Sequence, residues 1–188
     1  LADPCRASEV IKRIRALARK GEAQRLPLDL NALLRDTAGL VQRELSNHRI
    51  VLELRLAPLL PVEGDAVQLQ QVVINLLMNA MQAISGAGPD WLLRQQRIVV
   101  STRQHDEQVE VEVADTGPGL SAVQAGRLFE AFYSTKADGM GMGLAICRSI
   151  VDAHGGRIHA VAHDGPGATL AFALPCATVA TAAARVAA

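Results

Sequence analysis

Residues 66–89 read AVQLQQVVINLLMNAMQAISGAGP, a stretch with no charged side chain in a 188-residue chain that is 20% charged overall. Within it Gln68, Gln71, Asn75, Asn79 and Gln82 recur at steps of three and four. That spacing predicts a helix over about 66–84 with a stripe of amides along one side. Leu69, Val72, Val73, Leu76, Leu77, Ala80 and Ile84 fall opposite, an apolar face suited to packing on a sheet. Asp65, just before it, is a good N-cap. A solvated helix face would carry Lys and Glu, so uncharged amides point to a ligand surface. Amide oxygens are hard donors suited to Mg2+, which binds through a few protein oxygens together with phosphates. The competing reading is a buried amide ladder that only ties helix to loop. The stretch could span a bilayer by length, but its amides would be unsatisfied in lipid, so it is not a membrane helix.

Outward from this helix, Pro27 and Asp29 open an earlier one, to about residue 47, that buries Leu30, Leu33, Leu34, Ala38 and Val41. Residues 49–56 alternate Ile50, Leu52, Leu54 and Leu56 with Arg49, Val51, Glu53 and Arg55, the period of a half-buried strand that Pro58 and Pro61 end. Residues 97–103 and 108–114 read as two arms of a hairpin around His105-Asp106-Glu107 that delivers Asp115 to a loop. The glycine-rich residues 115–143 are mostly loop, with a brief helix near 121–128. A helix over about 142–153 follows, stopped by Gly155-Gly156, then strands near 157–162 and 168–174. The expected fold is a two-layer α/β sandwich: a mixed sheet of about five strands with three main helices on one face. Before it, Val10, Ile11, Ile14 and Leu17 fall at helical spacing among Lys12, Arg13, Arg15 and Arg19. That N-terminal helix has no partner in the sequence and reads either as half of a bundle or dimer or as a plain surface helix. The Ala-rich residues 177–188 are expected to be disordered.

Lys plus Arg and Asp plus Glu both number 19, for a formal net charge of zero, so nothing global points to nucleic acid and none is expected as a partner. Cys5, Cys147 and Cys176 lack metal-ligand spacing and are odd in number, and are read as packing residues of a reducing compartment. The chain starts at Leu1 without signal-peptide organisation, so it is expected to be a piece of a longer protein.

Two further motifs carry chemistry. In Asp115-Thr116-Gly117-Pro118-Gly119, a carboxylate at a strand end can accept from an exocyclic amine while the glycines let a flat base approach. Alone, the motif is equally a simple turn. Gly139-Met140-Gly141-Met142-Gly143-Leu144 leads into a helix whose free N–H groups favour phosphate. It is not a dinucleotide fingerprint, because no strand directly precedes it. These motifs stand in order with the Asn-x-x-x-Asn helix, with 128–136 (LFEAFYSTK) and with Gly165-Pro166-Gly167-Ala168-Thr169. In that conjunction the sequence resembles, over about 29–175, the catalytic ATP-binding domain of bacterial sensor histidine kinases. These share the Bergerat fold with the wider superfamily of gyrase, Hsp90 and MutL. Residues 7–20 resemble the end of the dimerisation helix hairpin of nitrogen- and oxygen-sensing kinases.

The resemblance implies ATP and Mg2+ as ligands and assigns roles by position. Asn75 and Asn79 match the N box over the triphosphate, with Asn79 the first choice as metal ligand and Asn75 the second. Asp115 matches the aspartate that reads the adenine amine, and Gly117 and Gly119 shape the base pocket. Phe129 and Phe132 match the box that anchors a mobile lid over about 126–140, and Lys136 lies where a lid cation could reach terminal phosphates. Gly139, Gly141 and Gly143, with Leu144, match the second glycine box, Gly165 and Gly167 match the third, and Thr169 follows it on the adenine side. Many family members have Lys where this chain has Gln82, which leaves more to Lys136.

In gyrase-like relatives a Glu stands at the position of Asn75 and acts as general base on water. An amide cannot take a proton near neutral pH. The family reading is therefore phosphoryl transfer to a histidine, not hydrolysis, with a nucleotide module lacking turnover as the alternative. None of His48, His105, His154, His159 and His163 fits the phosphoacceptor, and His154 reads as a capping or packing residue. The implied organisation is a hairpin end over 1–22, a catalytic domain over 23–176 and a tail over 177–188. Expected partners are the phosphoacceptor histidine domain of the same protein and a response regulator receiver domain. The full-length protein would be a cytoplasmic homodimer, free or anchored at the inner membrane, and this piece a monomer if the hairpin is incomplete.

Overall fold

The computed structural model describes residues 25–88, 95–134, 141–161 and 166–177. In chain order the elements are β1 (Leu26–Leu28), α1 (Leu30–Asn47), β2 (Val51–Leu56), β3 (Val62–Gly64), α2 (Ala66–Ser85), β4 (Arg97–His105), β5 (Gln108–Asp115), α3 (Ala122–Arg127), α4 (Gly143–Ala153), β6 (Arg157–Val161) and β7 (Ala168–Pro175). Five strands form one sheet in the order β2-β4-β5-β7-β6. Only β2 and β4 run parallel, and the other neighbours are antiparallel, so the sheet is mixed as expected.

The alternation in the sequence decides which face of the sheet is covered. Ile98, Val100 and Thr102 of β4, Val109, Val111 and Val113 of β5, and Leu170, Phe172 and Leu174 of β7 are buried on one side. On the other side Ser101 and Arg103 bond Glu112, and His159 lies 3.9 Å from Glu110. A face of such charged and polar residues can lie against water, so helices cover only its opposite. α1 packs on β2, α2 on β4 and β5, and α4 on β6 and β7, while α2 also touches both other helices. The whole apolar face foreseen for α2 is buried, and Leu69, Val72 and Leu76 are completely so.

Local chemistry sets the helix limits. Asp29 caps α1 by accepting from Ala32 N–H, and Asp65 caps α2 by accepting from Val67 and Gln68 N–H. Arg49, at φ 58°, turns the chain out of α1 and starts β2 two residues later than the alternation alone suggests. Two short strands escaped the sequence reading. β1 and β3 pair antiparallel, Leu26 opposite Gly64 and Leu28 opposite Val62, so Pro27 lies in a strand and does not open α1. Three-residue strands containing Pro or Gly have no legible period. The readings for 7–20 and 178–188 lie outside the described residues. Phe172 is the largest fully buried side chain, and Phe172→Ala is expected to lower unfolding free energy by about 3–5 kcal/mol, measured by urea denaturation.

Candidate nucleotide-binding site

With its apolar side fixed to the sheet, α2 turns Gln68, Gln71, Asn75 and Asn79 to half-buried positions, and Gln82, near its end, is exposed. Asn75 faces α4: its amide lies close enough to the Cys147 thiol to lower that group's pKa. Burial opposes and outweighs this, pushing the thiol up to about 12. Cys147 is fully buried, and its Sγ lies 3.9 Å from the Val72 carbonyl.

The aspartate loop meets the far end of the same helix. Asp115 ends β5 between Ile98 of β4 and Ala168 of β7. Its Oδ1 accepts from Gly117 N–H at 2.8 Å, which folds the loop back over the strand end. A Cβ at Gly117 would lie 2.8 Å from that oxygen and 3.3 Å from the Ala83 carbonyl carbon, so loop and helix touch here because neither residue is larger. Ala83 is one turn beyond Asn79. Thr116 holds the hairpin end, its Oγ1 accepting from Arg97 N–H and donating to Gln95 O, both at 3.0 Å. Gly119 has φ 92°, a conformation that favours glycine. Ala168 is the residue opposite Asp115 on the neighbouring strand, whereas Thr169, opposite Ala114, falls on the uncovered face of the sheet.

A third segment closes toward α4. Ser121 and Gln124 form a capping box at α3, after which Leu128 and Phe129 pack against the core. Of the two phenylalanines in this segment, Phe129 packs on the core and Phe132 is 79% exposed, at φ 67°. Phe132 N–H donates to Gly141 O at 3.0 Å, and Arg127 stacks over Tyr133 with 4.6 Å to the ring centre. Gly141 has φ 64°, and a Cβ there would lie 2.5–2.7 Å from the Phe132 and Tyr133 backbone. Two arms of chain cross at this point, which explains the glycine. Met142 at the N-cap of α4 makes no side-chain cap, and around Gly143 there is open space. Met142 thus supplies no side-chain acceptor to the first N–H groups of α4, and a helix start of this kind favours an anion. Lys136, Gly139 and Gly165 lie outside the described residues.

These features fit a magnesium nucleotide. The donors are carboxamides, a cradle that a Cβ would fill lies beside a carboxylate, and a helix N-terminus opens near by. No group of three or more His, Cys, Asp or Glu suited to a metal occurs among the described residues. Nor is any described helix long and apolar enough to cross a membrane. Sequence reasoning named Asp115, Gly117 and Asn79 but missed Ala83 and Thr116, whose importance comes from what they touch.

The family profile of the histidine kinase-, DNA gyrase B-, and HSP90-like ATPases matches residues 64–178. The chain belongs to this family. The ATPase-family chain is 37% identical to the sensor histidine kinase TmoS of Ectopseudomonas mendocina over 93% of its length and 18% of that protein's. It is also 37% identical to the sensor protein FixL of Bradyrhizobium diazoefficiens, over 92% of its length and 33% of the relative's. Among solved structures, full-length ShkA in complex with AMPPNP superposes with a TM-score of 0.72 at 30% identity, over 84% of this chain and 32% of that one. The chain therefore spans a third or less of the length of these relatives.

Two outcomes test the site. Gly117→Ala puts a methyl against Asp115 and Ala83 and is expected to weaken adenosine binding about tenfold by calorimetry, the range of one lost hydrogen bond to a charged group. Cys147 keeps its proton when folded to about pH 12, whereas the reference thiol loses it near 9.0. Its contribution to stability is therefore complete below pH 9 and fades as pH rises toward 12. Iodoacetamide at pH 8 should leave Cys147 unmodified in the folded protein, read by peptide mass spectrometry.

Proposed function

We propose that this ATPase-family domain binds Mg2+-ATP and serves as the catalytic part of a sensor histidine kinase, transferring the γ-phosphoryl group to a histidine outside residues 23–176. One observation carries the reading: Gly117, which holds the Asp115 carboxylate, is pressed on Ala83 one turn beyond Asn79. A single helix thereby borders a base-reading carboxylate and a metal-binding amide. Asp115 accepts the adenine amino group, and Gly117 and Gly119 leave room for the ring. Asn79, seconded by Asn75, holds Mg2+, which when bound neutralises phosphate charge. Gly141, Gly143 and Leu144 bring the start of α4 to the phosphates, with Gly139 and Lys136 joining from the lid. Gln82 contributes from the last turn of α2 and Phe132 from the lid's first arm.

The chemistry is displacement at phosphorus. An imidazole nitrogen lone pair attacks the γ-phosphorus, the bond to the bridging oxygen breaks, and ADP leaves with that electron pair. Water is a poorer competitor because Asn75, unlike a carboxylate, cannot remove its proton. The sensor-kinase names of relatives at 37% identity support transfer over hydrolysis. The phosphoryl group then passes to a response regulator receiver domain. On this reading residues 1–22 are the end of the phosphoacceptor hairpin, through which the parent dimerises, and the domain works in the cytoplasm.

Calorimetric titration with Mg2+-AMPPNP tests the site. Asp115→Asn is expected to weaken binding about 10–100-fold, and Asn79→Ala to abolish most of the difference between titrations with and without Mg2+. With radiolabelled ATP, the chain alone should form no phosphohistidine and should phosphorylate a relative's histidine-bearing hairpin added in trans. Tight binding without any transfer would identify a nucleotide module instead.

A further inference from the structure

The side chains buried on α2 and α4 are apolar along both helices, Leu69 to Ile84 on one and Ile146, Cys147 and Val151 on the other. Apolar contact is non-directional and does not by itself fix one helix in register on another. Two polar ties do. Cys147 reaches the Val72 carbonyl midway along the pair. The stronger tie is His154, 4% exposed, directly after α4. Its Nδ1 is 2.7 Å from the Ile150 carbonyl, and its Nε2 accepts from Asp65 N–H at 3.0 Å. The carbonyl can only accept and the amide can only donate, so these two bonds use Nδ1 as donor and Nε2 as acceptor. Asp65 is itself the N-cap of α2. A Cβ at Gly64 would lie 2.5 Å from Leu69 and 3.3 Å from the imidazole, so glycine lets the chain run against the ring.

Everything else at this end of α4 is fixed as well. Arg25 donates to the Ala153 carbonyl, Gly155 turns the chain at φ 73°, and a Cβ at Gly156 would strike Ala173 O and Leu174. The opposite end has no side-chain cap and open space around Gly143. α4 is thus a rod clamped at its C-terminus that presents its N-terminus. A slip of one residue at the clamp moves that N-terminus by about 1.5 Å, half the length of a hydrogen bond.

We propose that His154 is a positioning residue of the metal–nucleotide site: by joining the end of α4 to the cap of α2, it sets the register in which the Asn75–Asn79 stripe meets the start of α4. It touches no ligand, and the inference rests on the function proposed above. The base pocket of Asp115, Gly117 and Ala83 lies at the other end of α2 and is left in place by a slip of α4.

The test compares Mg2+-AMPPNP with adenosine, titrated calorimetrically into the full chain. His154→Leu keeps bulk and deletes the acceptor, while His154→Gln retains a side-chain acceptor and donor. His154→Leu is expected to weaken Mg2+-AMPPNP about tenfold or more and adenosine less than about threefold, because misplacements near 1 Å act on the phosphate end. His154→Gln should recover most of the loss. Equal losses for both ligands, or no recovery with Gln, would assign His154 to stability alone and overturn the proposal. Asn79→Ala run alongside separates the two readings: if it leaves Mg2+-dependent binding intact, the proposed function fails. If it matters while His154→Leu binds normally, only the positioning role fails. Should His154→Leu not fold, the Asp65 amide resonance of the unsubstituted protein decides. It is expected to shift on saturation with Mg2+-AMPPNP and much less with adenosine, and an unmoved resonance overturns the proposal.

Discussion

Helix α2 has to satisfy a dry side and a wet side at once, and the rest of the site follows from how it does so. Its apolar residues, from Leu69 to Ile84, are buried against the sheet and its helical neighbours. That burial leaves one rotation about the helix axis acceptable, since turning it would bring amides into the core at a cost of a few kcal/mol each. The positions of Asn75 and Asn79 are therefore consequences of core packing. No contact with a ligand is needed to orient them, and the site exists before anything binds.

The fold was legible where burial has a period. The amide stripe and the β4–β5 hairpin could be read because one side chain every two or every three to four residues faces the core, and the capping aspartates by their residue type ahead of an apolar period. β1 and β3 were illegible for the corresponding reason: three residues containing Pro27 or Gly64 show no alternation. The site divides similarly. Asp115 and the glycines announce themselves as residue types with special chemistry or backbone freedom. Ala83 and Thr116 do not, since an alanine matters here only through the glycine pressed on it and a threonine through the two backbone groups that it bridges. Such roles are relational and need coordinates. Phe132 shows the converse, a residue marked by its motif that stands exposed while its neighbour Phe129 packs.

Glycine does several unlike things within this one site. Gly117 keeps a loop close to a helix, Gly141 lets two arms of chain cross, and Gly143 has open space about it. A motif of spaced glycines thus conceals separate demands, and substitutions at its members should fail for separate reasons.

The uncovered face of the sheet carries Ser101, Arg103, Glu110, Glu112 and His159, joined by their own ion pairs and hydrogen bonds. Valines such as the exposed Val51 are interspersed on this face, but a second copy stacked on it would also have to strip water from its charged groups. Self-association by sandwiching sheets is disfavoured from the outset. The face therefore stays with water, and the helix-covered side of the sheet is left as the one where the rest of the fold packs.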